Sequence, residues 1–180
     1  MELYETIRSR RSTRSYEDKP IPREVLGRLL EAAREAPSAK NLMPWKLVVV
    51  TDPETRARLA ESGTYGKFLV QTPVVLAACA DAVLAPKWWA VDTAIALEHV
   101  ALAAAAEGLG SCWVGSFDEE LARRLLGVPD SHRVVALLAL GYPKERLDLS
   151  RIGGHLLHPT RTLEKLVSEG RFENPWKSES

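Results

Sequence analysis

The chain has 180 residues, 46% hydrophobic and 27% charged, enough for one well-buried domain and short for two. Its 24 basic residues balance 24 acidic ones, so no global field draws it to nucleic acid or to an anionic membrane. Cys79 and Cys112 lie far apart in apolar runs, which excludes a secreted disulfide scaffold and suits free thiols in a reducing compartment.

Leu3 and Ile7 fall on one face of a short opening helix that runs into the most unusual stretch of the chain. From Arg8 to Arg14 stand four arginines, two serines and a threonine, with no acid among them. Guanidinium forks and hydroxyls together suit a phosphate monoester held by side chains. No glycine is present to let backbone amides close round the anion, so this is not a P-loop. Taken alone, the run reads more readily as a solvated basic helix end. Residues 17–22 form a turn, and Pro22 is placed to begin a helix whose stripe is Val25, Leu26, Leu29, Leu30 and Ala33. A non-helical loop at 37–45, bounded by Pro37 and Pro44, delivers the chain into a buried strand at 46–51. A helix from Pro53, capped by Thr51 or Asp52, ends near Gly63.

A second buried strand follows at 74–79, then the longest helix, residues 87–107, with alanines on all sides and Gly108 to end it. Strands at 111–115 and 134–140 flank a helix capped by Asp118 and closed by Gly127 and Pro129. A polar segment at 144–159 leads to a last helix carrying Leu163, Leu166 and Val167, and then to an extended tail. This alternation predicts one sheet with helices on both faces. The N-terminus lacks a basic-then-apolar leader, and the apolar run at 94–106 is short and interrupted by Glu98 and His99. A soluble cytoplasmic protein is expected.

Three landmarks in order resemble the nitroreductase family of FMN-dependent oxidoreductases: 10–16 (RRSTRSY), 36–45 (APSAKNLMPW) and 105–115 (AAEGLGSCWVG). The resemblance runs from Tyr4 to Trp176. It implies an α+β fold with a central mixed β-sheet flanked by helices, one FMN-binding domain over 1–180, and an intertwined homodimer whose C-terminal tail (about 170–180) packs on the partner. By that match Arg10, Arg11, Ser12 and Arg14 hold the phosphate and the pyrimidine edge of FMN, and Arg161 lies near the phosphate. Pro37, Ser38 and Asn41 reach the ribityl chain and ring from the other subunit. The backbone of Val114 and Gly115 faces flavin N5, and Lys67 is a candidate further contact. The implied reaction is ping-pong hydride transfer from NAD(P)H to a nitroaromatic or quinone. A dehalogenating or flavin-fragmenting relative is the alternative, and a phosphate- or nucleic-acid-binding module using 8–14 the non-enzymatic one. Met43 replaces the family's glutamine, and the 81–86 connection is short where larger members carry a lid.

Side-chain chemistry adds little. No nucleophilic or paired-carboxylate set assembles, as suits a protein whose cofactor carries the redox step. His155 and His158 have metal-ligand spacing, but Gly153, Gly154 and Pro159 break the helix it needs. Trp88 and Trp89 read as core or dimer packing, or as a wall of the substrate pocket. His99 reads as a satisfied interface histidine, and Asp92 as a cap or an interface partner for arginine. The surplus apolar surface of the long helix, at Ala94, Leu97, Ala101 and Ala105, predicts a helix–helix dimer seam.

Overall fold

The computed structural model describes residues 2–63, 66–144 and 160–176. The chain divides into two compact units, Met1–Glu145 and Arg146–Ser180.

The first unit is built on β2 (Val74–Asp81), buried along seven of its eight residues. It pairs on one side with β1 (Trp45–Val50) and on the other with β4 (His132–Gly141), which pairs in turn with β3 (Gly110–Val114). All three pairings are antiparallel. Among the described residues, the parallel component of the expected mixed sheet is a single bridge, Ser12 to Ser111, where the arginine segment passes beside β3. Two-residue periodicity assigns the buried apolar strand residues to one of two cores. Val74, Leu76 and Ala78 join Ala136, Leu138 and Leu140 on one face; Val75, Ala77 and Cys79 join Leu137 and Ala139 on the other. Between Ala78 and Cys79 the register to β4 slips by one residue, the mark of a β-bulge, so Val134 turns to the second face although its parity assigns it to the first.

The first face is covered by α2 (Arg23–Arg34) and α4 (Trp89–Ala106), with Leu29 and Ala33 meeting Ala96, Leu97, Val100, Ala101 and Ala104. Arg28 clamps α2 to the end of α4 through a bidentate pair with Glu107, at 2.7 and 2.8 Å. The opposite face is covered by α3 (Pro53–Glu61), a 3-10 turn at Lys67–Gln71, and α5 (Glu119–Leu126). Asp52 caps α3 by accepting from Thr55 N at 2.7 Å, and Asp118 caps α5 through Leu121 N at 3.0 Å. Gly108 and Gly127 end α4 and α5 with φ of 75° and 65°, a conformation that costs glycine nothing.

The expected elements appear with ends moved by one or two residues: Pro22 precedes α2 as its N-cap, and α4 starts at Trp89. Two expectations need correction. The loop between the prolines contains a 3-10 turn, Ala39–Asn41. The dimer seam is misplaced, because Leu97 and Ala101 are fully buried inside the chain. A helix wedged between a sheet and a second helix hides two faces by itself, which accounts for the burial of Ala96, Ala101 and Ala104. By length and composition α4 could cross a bilayer, yet it lies in this core.

The first unit opens with α1 (Leu3–Ser9), and the described residues of the second unit include a four-residue helix, α6 (Leu163–Leu166). Residues 168–176 turn back on themselves through a Ser168–Pro175 bridge, with Trp176 N donating to Val167 O at 3.0 Å. His155 and His158 lie outside the described residues.

Candidate functional site

The arginine segment leaves α1 and is tied to the edge and end of the sheet. Thr13 N donates to Ser111 O at 2.8 Å, Glu17 N to Tyr142 O at 2.9 Å, and Lys144 N to Ser15 O at 3.0 Å. Close approach depends on Gly110: a side-chain carbon there would lie 2.5 Å from Thr13 Oγ1. Tyr16 is buried and donates from its hydroxyl to Thr13 O at 2.5 Å; burial pushes that hydroxyl far above the ordinary tyrosine range, so it stays a donor. Pinned in this way, Arg10, Arg11 and Thr13 form one wall of a 270 Å³ cleft, and Ala105, Gly108 and Ser111 form part of the other. Arg11, Ser12 and Arg14 are exposed, and Arg10 is half-buried with its Nε 3.7 Å from Glu98 Oε1. The other oxygen of Glu98 accepts from Trp113 Nε1 at 3.1 Å, linking the arginine segment to β3.

The second group of expected residues sits in the loop between the prolines. Lys40, Asn41 and Met43 have φ of 55°, 55° and 47°. For residues with a Cβ this conformation costs on the order of 1 kcal/mol each, so something must hold it. Ser38 Oγ accepts from Met43 N at 2.9 Å, across the loop. Asp92, only 3% exposed in the first turn of α4, accepts from Ala39 N at 3.1 Å through Oδ2. Within the chain Asp92 thus serves the loop as a backbone acceptor. Its backbone acceptor role left no trace in the sequence beyond an acid in an apolar helix. His99 is likewise satisfied within the chain, its Nδ1 lying 3.2 Å from Ala32 O on α2.

The third group ends β3. Val114 is buried and Gly115 exposed; a side-chain carbon on Gly115 would meet no atom within 4 Å, so open space adjoins its backbone. The chain beyond is braced on the end of α3, where Asp118 N donates to Ser62 O at 2.8 Å. Of the remaining expected residues, Pro37 and Lys67 are exposed in the first unit and Arg161 is exposed in the second. Trp88 is 52% exposed, while Trp89 is half-buried with the Arg133 guanidinium 5.9 Å from its ring.

These groups do not converge in one chain. The loop hangs on Asp92 in the first turn of α4, while the cleft is lined by Ala105 and Gly108 at its end. At ~1.5 Å per residue the two ends lie about 20 Å apart along the axis. Around the loop anchor, at its start, α4 leaves an open apolar stripe of Ala90, Val91, Ala94 and Ile95, continued by Trp113. Leu3, Tyr4 and Ile7 of α1 are exposed as well.

A sheet covered on both faces, with a basic cleft at one edge and an open apolar helix face, defines an α+β protein with a candidate anion site. The chain belongs to the nitroreductase family, whose model matches residues 7–63 and 63–142. It is 35% identical to an NADH dehydrogenase of Thermus thermophilus, over 79% of this chain and 90% of that protein. It is 28% identical to a 5,6-dimethylbenzimidazole synthase of Rhodospirillum rubrum, over 92% of this chain and 88% of the relative. Among solved structures, an FMN-dependent nitroreductase from Clostridium difficile R20291 superposes with a TM-score of 0.74 at 30% identity, covering 87% of this chain and 98% of the other.

Proposed function

We propose that the chain is an FMN-dependent oxidoreductase working as a homodimer, passing hydride from NAD(P)H to an oxidised small molecule such as a nitroaromatic or quinone. The observation that carries this reading is the separation of the two halves of the site along α4. Two copies related by a two-fold axis, with antiparallel α4 helices crossing midway between Asp92 and Ala105, would set the Ser38–Asn41 loop of one against the arginine cleft of the other. The donors present fit the cofactor: exposed guanidinium groups and a hydroxyl suit a phosphate dianion, and the space at Gly115 leaves room for a flat ring. FMN, when bound, supplies the hydride chemistry.

The work left to the protein is binding and orientation. Arg11, Ser12 and Arg14 hold the phosphate, and Arg10 holds the pyrimidine edge. Ser38 has its oxygen engaged by Met43 N, so its hydrogen is available to a ligand oxygen. The Gly115 N–H serves as a donor to the ring, and a single pocket takes nucleotide and acceptor in turn. Two buried free thiols support a cytoplasmic setting.

A second reading rests on the short connection after β2, where Asp81 Oδ1 accepts from Val83 N and Leu84 N in a tight turn. With no lid built from this connection, and with a synthase among the relatives, the site suits a flavin-consuming or dehalogenating reaction. Stopped-flow mixing of the FMN-loaded protein with NADH or NADPH separates the readings. Rapid bleaching of bound flavin, restored by a quinone, is expected. Bleaching that is slow with both nucleotides favours the second reading, and none with either removes the reductase assignment.

A further inference from the structure

We propose that Asp92 is a positioning residue that preforms the cofactor-contacting loop from inside the hydrophobic core, before any ligand arrives. The inference rests on the FMN reading for its consequence, though not for the contact itself.

Three features combine. The carboxylate is 3% exposed in the first turn of α4, and its Oδ2 accepts from Ala39 N at 3.1 Å. Ala39 opens the 3-10 turn whose next residues, Lys40 and Asn41, are left-handed. Within the loop, Asn41 N donates to Ser38 O at 3.0 Å, Leu42 N to Ala39 O at 3.2 Å, and Met43 N to Ser38 Oγ at 2.9 Å. Those bonds fold the loop upon itself. They do not locate it. Its ends are fixed by Pro44 O, which accepts from Asp81 N at 2.8 Å, and by Ala36 at the close of α2. The bond from Ala39 to Asp92 is the described polar contact that ties the turn to α4. Because Val91, the adjacent residue, belongs to the open stripe, the same helical turn carries the loop anchor and the surface offered to a second copy. Loop order and subunit pairing are then linked through one turn of helix.

The geometry requires an acceptor at Oδ2 and does not require a charge. Asp92→Asn keeps an oxygen there, whereas Asp92→Ala removes it. Ala39→Pro deletes the donor from the other side and is compatible with the extended Ser38 before it, φ −144° and ψ 155°. The readouts are hydrogen exchange of the Ala39 amide in the cofactor-free protein and FMN affinity by fluorescence quenching. Slow Ala39 exchange is expected in the wild type and in Asp92→Asn, with affinities within about three-fold of each other. Asp92→Ala should exchange freely at Ala39 and bind FMN at least ten-fold more weakly, while β2 and β4 amides stay protected. Should Asp92→Ala fail to fold, Ala39→Pro carries the same ten-fold expectation.

Unchanged exchange at Ala39 in Asp92→Ala, or wild-type FMN affinity in Ala39→Pro, overturns the anchor. Equal weakening by Asp92→Asn and Asp92→Ala does so too, since it would point to charge and not to the acceptor. If the wild type itself binds no FMN, the cofactor reading fails, and the exchange data still decide whether the anchor exists.

Discussion

Arg11 and Ser12 are exposed side chains on a backbone that is held rigidly, and that division of labour sets what substitution should do. Arg11→Ala removes a donor without touching the fold; losing one charge-assisted bond of about 1.5–3 kcal/mol weakens FMN binding roughly ten- to hundred-fold. Fluorescence titration measures this, and the thermal midpoint of the cofactor-free protein should stay unchanged. Gly110→Ala tests the opposite case. The new carbon would lie 2.5 Å from Thr13 Oγ1 and 2.7 Å from Thr13 Cβ, so the arginine segment must move off β3. Lower thermal stability and lost FMN binding are expected together; a variant that binds FMN normally would show that the segment's position is not set by this contact. The chemistry of the arginines was legible in the sequence. The need for glycine at 110 was not, because it arises from a neighbour almost a hundred positions away.

At the scale of elements, α4 decides the most. Its burial pattern directs two glutamate substitutions to opposite outcomes. Ala101→Glu places an unpaired charge among Leu29, Val100 and the sheet, at a cost of several kcal/mol, and should unfold the chain. Ile95→Glu falls on the open stripe and should leave a folded monomer that has lost FMN. Light scattering after gel filtration, with circular dichroism of the same fractions, distinguishes the two. A folded, flavin-loaded dimer of Ile95→Glu would place the interface elsewhere. The mistaken seam at Leu97 and Ala101 has a plain cause: composition reveals how many faces of a helix are apolar, while the covering of each face depends on α2 packing over it.

At the scale of the whole molecule, charge helps hold one helical layer to the sheet. Glu119 on α5 accepts from Arg133 Nε and Nη2, both at 2.6 Å, and from Val134 N at 3.1 Å, fastening α5 to β4. The Arg133 hydrogen bonds, joined by the Val134 N–H, hold the Glu119 carboxyl below the ordinary value of 4.5. A depressed carboxylate stabilises the fold above its unfolded pKa, and that contribution disappears as pH falls through the folded one. Thermal midpoints recorded from neutral pH downward should therefore drop through and below the region of 4.5, and Glu119→Gln should flatten that fall while lowering stability at neutral pH. Parallel curves for the two proteins would show that the contact contributes nothing to folding.

Local pattern determined a good deal: strand positions from β-branched runs, helix ends from Asp52, Asp118, Gly108 and Gly127, and a family from three spaced landmarks. Each of these depends on residues adjacent in sequence, where side-chain chemistry and backbone preference act directly. The tertiary structure alone decided which apolar residues of α4 remain open, which acid holds the Ser38–Met43 loop, and how far that loop stands from the arginine cleft. Those properties belong to pairs such as Ala39 and Asp92, or Thr13 and Gly110, whose separation along the chain leaves no periodicity to read. They exist only once the sheet has brought distant backbone within hydrogen-bonding reach.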